Sequence, residues 1–103
     1  MESKSQAGVL IHAPTAAAVA RARNNAVNLL KAEPQALVRI LVNAEGVAAV
    51  LDTPRDDTDP LTLVCANTLN RIGRSAPAPL QVIPASIVAL AQMQRDGWIY
   101  VRA

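Results

Sequence analysis

Apolar positions along this 103-residue chain follow two alternating patterns. Short continuous apolar runs lie at Ala7–Ala13 (AGVLIHA), Ala36–Asn43 (ALVRILVN), Leu61–Ala66 (LTLVCA), Leu80–Ile83 (LQVI) and Trp98–Arg102 (WIYVR). Their length and their wealth of branched side chains predict strands, and continuous rather than alternating hydrophobicity predicts burial on both faces. The stretches between them have helical character. Ala16–Ala32 is built of good helix formers, with Val19, Arg23, Ala26, Val27 and Leu30 spaced by three or four; Pro14 and Thr15 suit its head and Pro34 stops it. Ala44–Asp52 reads as a short helix, and Asn67–Gly73 as another with Asn67 as N-cap and Gly73 as stop. Pro84–Asp96 is a third, opened by Pro84 and ended by Gly97. Thr53–Pro60, with two prolines and four charges, and Arg74–Pro79 read as surface loops.

The resulting order is β-α-β-α-β-α-β-α-β. Apolar strands alternating with helices predict an α/β fold: a three-layer α/β/α sandwich around a mainly parallel five-stranded sheet. The length suits a single domain over residues 1–103. In such sheets ligands bind beyond the carboxyl ends of the strands, where the strand order reverses. Those ends carry His12, Asn43, Cys65 and Ile83, the last followed by Pro84.

Composition narrows the function. The chain is 51 % hydrophobic, has a single Trp, a single Tyr and no Phe, and carries a formal charge of +2 from scattered basic residues. Neither a basic stripe nor a stacking platform follows, so nucleic acid is not an expected partner. No apolar run reaches about 18 residues, so no membrane span is expected. The opening MESKSQAGVL lacks a secretory pattern and one cysteine makes no internal disulfide, which points to the cytoplasm. A chain this short with this apolar content is expected to bury part of its surface in a homo-oligomer.

Catalytic signatures are sparse. The four glycines stand apart at positions 8, 46, 73 and 97, giving no phosphate loop or dinucleotide fingerprint, and one Cys with one His gives no metal-ligand spacing. No metal or cofactor is expected. Asp56, Asp57 and Asp59 read as a solvated loop cluster, and Asn24, Asn25 and Asn28 as a solvated helix face. What remains is Cys65, at the junction of a strand and a helix, where a thiolate gains from the positive end of the helix dipole. Arg71 and Arg74 follow within about three turns and are candidates to add positive potential, although neither is close enough in sequence to guarantee contact. His12 is a candidate proton acceptor or anion donor at the same rim, and Asn43 a candidate pocket amide. Two readings of Cys65 stand, a reagent and a small buried hydrophobe, and position alone favours the second.

Five segments in order, VLIHA, NNAVNLLKA, VRILVNAEGVAAVL, VCANTLNRIG and VIPASIVALAQMQRDGWIYVR, cover nearly the whole chain. Together they resemble the DsrE/DsrF-like family of sulfur-relay proteins. The resemblance implies a compact α/β/α fold with a five-stranded sheet, assembly into oligomers, and a cysteine at the place of Cys65 that carries persulfide sulfur from a donor protein to an acceptor thiol. It departs at Asn43–Gly46 (NAEG), where a tighter glycine-rich turn is usual. The alternative is a non-catalytic, oligomeric small-ligand-binding module in which Cys65 only packs.

Overall fold

The computed structural model describes residues 7–103. The first six residues of the opening segment, read above for a secretory signal, lie outside them. The elements are β1 (Val9–Ala13), α1 (Ala16–Ala32), β2 (Val38–Val42), α2 (Glu45–Asp52), β3 (Thr62–Cys65), α3 (Ala66–Ile72), β4 (Gln81–Ile83), α4 (Ser86–Arg95) and β5 (Ile99–Arg102), with a 3₁₀ turn at Asp59–Leu61. The alternation expected from the sequence holds, with strands trimmed by a residue or two at their ends. The five strands form one sheet in the order β4-β3-β2-β1-β5, and every neighbouring pair is parallel.

Strand order fixes the layers. From β1 to β4 the chain steps outward in one direction, so right-handed crossovers place the intervening helices on one face. The return from β4 to the far side of β1 runs the opposite way and carries α4 across the other face. The packing agrees. On one face Ile11, Ala13, Val38, Ile40, Val42 and Val64 join Ala18, Val19, Ala22 and Ala26 of α1, Val47 and Val50 of α2 and Leu69 of α3. On the other, Leu10, Leu41 and Leu63 meet Ala89, Leu90 and Met93 of α4, with Ile83 and Trp98.

Local chemistry explains the helix ends. Thr15 caps α1, its Oγ1 accepting from the Ala18 N–H at 3.0 Å. Gly73 closes α3 in the left-handed conformation at φ 69°. Asn67 does not cap α3, however. Strand β3 runs into the helix without a loop residue, Ala66 takes the first helical position, and Cys65 itself becomes the N-cap.

The segment read as a solvated loop is anchored instead. Asp59 and Thr58 are buried, and Asp59 Oδ1 receives Arg23 Nη2 of α1 at 3.2 Å. Its Oδ2 accepts the Arg55 N–H at 3.0 Å, and Arg23 Nη1 donates to Thr53 Oγ1 at 2.7 Å. A guanidinium on the buried stripe of α1 requires a buried counter-charge, and the 3₁₀ turn delivers it. Asn24, Asn25 and Asn28 are exposed.

Candidate functional site at the strand carboxyl ends

Alternation along each strand decides which side chains meet. His12 lies two residues beyond Leu10, Asn43 two beyond Leu41 and Cys65 two beyond Leu63, so all three share the α4 face. Adjacent strands β3 and β4 send their following helices to opposite faces, which makes their carboxyl ends the point where a crevice opens. Cys65 closes β3, and Ser86, the first residue of α4, follows β4.

Hydrogen bonds join Tyr100, His12, Asn43 and Ser86 at this end of the sheet. The Tyr100 hydroxyl lies 2.7 Å from His12 Nδ1, and His12 Nε2 lies 2.9 Å from Asn43 Oδ1. Asn43 Nδ2 donates to Ser86 Oγ at 3.2 Å. No hydrogen bond joins Ser86 to the Cys65 sulfur, although the Ser86 N–H and hydroxyl favour its charged form. His12 and Asn43 are in direct contact, while Cys65 stands at the same end of the sheet without a hydrogen bond to either, and His12 has both ring nitrogens engaged.

Cys65 is 3 % exposed. Burial pushes its thiol up, and four donors outweigh that: the backbone N–H groups of Thr68 and Ser86 and the hydroxyls of the same residues bring the pKa down to about 7. The sulfur makes no capping hydrogen bond of good geometry, so these donors act on it chiefly as an electrostatic cradle for the charged form. Thr68 is braced from the turn after β2, where the Ala44 N–H donates to its Oγ1 at 3.3 Å.

That bracing N–H comes from an unusual turn. Gly46 N–H donates to Asn43 O at 2.9 Å, closing a turn over Asn43–Gly46 with Ala44 at φ 48°, ψ −134°. These angles belong to the first central position of a type II′ turn, which glycine dominates. Holding alanine there stores of order 1–3 kcal/mol of backbone strain. Gly46 itself cannot be replaced, because a Cβ would collide with the Ala13 carbonyl oxygen.

The arginines stand elsewhere. Arg74 pairs with Asp52 at 2.9 Å. Arg71 lines a groove of about 460 Å³ between α2 and α3 with Ala44, Glu45, Ala48, Thr68 and Ile72. Neither contributes to the charge state of Cys65, whose shift comes from neutral donors. Thr68 belongs both to this groove and to the sulfur's surroundings.

Sequence reasoning missed Thr68, Ser86 and Tyr100. The first two had a readable signal: Thr68 follows Cys65 by one helical turn, and Ser86 opens the helix after the neighbouring strand end. Tyr100 pairs with Leu10 in the register of β5 against β1, which no local pattern reveals.

Among the described residues no group of three His, Cys, Asp or Glu side chains is arranged to hold a metal ion, and no helix is long and apolar enough to cross a membrane. No protein-family model matches the chain, and a search of curated proteins finds no match either.

Proposed function

We propose that the protein is a sulfur-relay carrier of the DsrE/DsrF-like type that holds persulfide sulfur on Cys65. What supports this reading is the place of Cys65 at the end of β3 and at the N-cap of α3, where Thr68 and Ser86 bring its pKa down to about 7 in spite of burial. The Cys65 thiolate attacks the outer sulfur of a donor persulfide; a new S–S bond forms, the donor's S–S bond breaks, and the donor leaves as a thiolate. Transfer onward repeats the exchange, with an acceptor thiolate attacking the outer sulfur and Cys65 leaving. No net oxidant is needed. Because Cys65 is 3 % exposed, attack requires local opening of the structure around it.

A cytoplasmic location and a homo-oligomeric state belong to the same proposal. Ile87 and Val88 of α4, 70 % and 52 % exposed, and Ile99, Tyr100 and Val101 of β5 offer apolar surface for a second copy. The burial of Cys65 favours the second reading, a binding module with an inert cysteine.

One experiment separates the two. Incubated with a cysteine-desulfurase persulfide donor, the protein gains one sulfur mass at Cys65, Cys65→Ser gains none, and light scattering of the same samples gives a mass above the 10.9 kDa of one chain. A thiol that resists alkylation until the protein unfolds, with no mass gain, sinks the carrier reading and leaves the inert one.

A further inference from the structure

We propose that two copies of the chain join edge to edge through β5, antiparallel about a two-fold axis at Tyr100, so that their sheets run on as one. This rests on the homo-oligomeric part of the reading above and names its surface and register. The two edges of the sheet differ. At one edge β4 is three residues long and lies between Pro79 and Pro84, and shortness and prolines keep an edge from pairing. At the other edge β5 has no proline, keeps unbroken register with β1 from Ile99 to Arg102, and has all four residues exposed, Ile99 at 62 %. Among the described residues no strand pairs with its outer side.

Backbone direction limits how a second copy can pair there. The Ile99 and Ala103 N–H groups donate to Gly8 O and His12 O, so alternation along the strand turns the N–H and C=O of Tyr100 and Arg102 outward. Ile99 and Val101 share the face of Val9 and Ile11, and Tyr100 and Arg102 that of Leu10 and His12. A two-fold axis normal to the sheet keeps each face with itself and therefore passes through a single residue of the strand. At Arg102 it sets arginine against arginine, which repels. At Val101 it leaves Ile99 opposite Ala103, and at Ile99 it leaves Val101 opposite Gly97. At Tyr100 it sets Ile99 of each copy opposite Val101 of the other and pairs the two tyrosines through their outward backbone groups. The same axis lays Arg102 opposite the Trp98 ring of the second copy, with the acid Asp96, the C-cap of α4, beyond it. Only this register matches apolar with apolar and each cation with a ring and a carboxylate. The contact is short, about 15 Å of strand against the roughly 800 Å² per partner of a standard interface, so the dimer is expected to dissociate at about micromolar concentration.

Analytical ultracentrifugation of the intact protein between about 1 and about 500 micromolar is expected to show a mass rising from the 10.9 kDa of one chain toward twice that value. In a chain also carrying Cys65→Ser, Tyr100→Cys is expected to cross-link on mild oxidation, because hydrogen-bonded partners across such an axis lie about 5.5 Å apart at Cα, within reach of a disulfide. Val101→Cys is expected not to cross-link. Val101→Lys is expected to weaken dimerisation about tenfold, and Ile99→Glu added to it to restore the dimer, since only the axis at Tyr100 brings position 99 of one copy to position 101 of the other. Circular dichroism of each variant checks that the fold is kept. A chain monomeric throughout that range overturns this pairing and the oligomeric reading together. A dimer indifferent to Val101→Lys, or cross-linked at position 101 and not at 100, overturns the pairing alone. So does protection of the Tyr100 amide from hydrogen exchange that persists on dilution to the monomer, which would mean that the chain's own first six residues cover the edge. Persulfide loading of Cys65 tests the carrier reading separately.

Discussion

The two faces of the sheet are built to different standards. The face under α1, α2 and α3 is closed: its side chains are almost wholly buried, and α1 contributes five buried residues. The face under α4 is thin. Its core has three buried leucines, and α4 contributes no buried residue at all. One helix cannot roof five strands, and the chain topology sends only one helix there. The closed face supplies stability, while the thin face carries His12, Asn43, Cys65 and Ser86. A crevice with reactive side chains needs a roof that can lift, and local opening is easiest where buried apolar contact is least.

Paired truncations test that contrast most strongly. Ile40 is 1 % exposed on the closed face, and Ile40→Ala is expected to lower stability by about 2–5 kcal/mol. Leu90 of α4 is only half-buried, and Leu90→Ala is expected to reach about 1 kcal/mol, because much of its surface is already in water. Denaturant melts of both variants decide the matter. Equal losses would mean that the two faces are energetically alike and that the thin face is covered in solution, most simply by a second copy.

The closed face was also the more legible from sequence. Continuous apolar strands and the three-and-four spacing of Val19, Arg23, Ala26 and Leu30 point to the inward faces, because burial is what selects such a pattern. A topological rule about strand ends singles out Cys65, His12 and Asn43, and of these His12 and Asn43 touch. What was not legible depends on contacts between distant segments. Asp59 was read as solvated because nothing nearby in sequence reveals the Arg23 guanidinium that draws it inside. Nearness in sequence does not bring Arg71 and Arg74 to the sulfur: Arg74 turns to Asp52 and Arg71 to the groove by Glu45. The sulfur's surroundings are neutral donors from α3 and α4, whose convergence is a property of the fold.

A second test reads the thin face through pH. The folded-state pKa of Cys65 is lowered to about 7, against roughly 8.5 for a free cysteine. A depressed acid contributes stability above its unfolded pKa and loses it as pH falls through the folded value. The thiolate is therefore expected to add about 2 kcal/mol above pH ~8.5, fading to nothing below pH ~7. The stability difference between the protein and Cys65→Ser should widen by that amount across this window. A difference that stays flat would show the cradle to be ineffective and Cys65 to be packed like any core residue.

The smallest expected effect lies where the two faces meet. Ala44 starts α2 on the closed side, and its N–H braces Thr68 beside the sulfur on the thin side. Its φ of 48° is strained for alanine and easy for glycine. Ala44→Gly relieves that strain but gives the unfolded chain more freedom to lose, two effects of opposite sign and similar size. Relief is expected to win by about 1 kcal/mol, because the turn is already fixed by the Gly46 N–H, which is shared between Asn43 O and Pro14 O. Thermal melts give the sign. The pH profile of Cys65 alkylation in the same variant gives the meaning. A more stable protein with an unchanged profile would make the alanine a tolerated imperfection of the closed face, whereas a raised pKa would show that the rigid turn, by fixing one N–H on Thr68, is part of what keeps the sulfur charged.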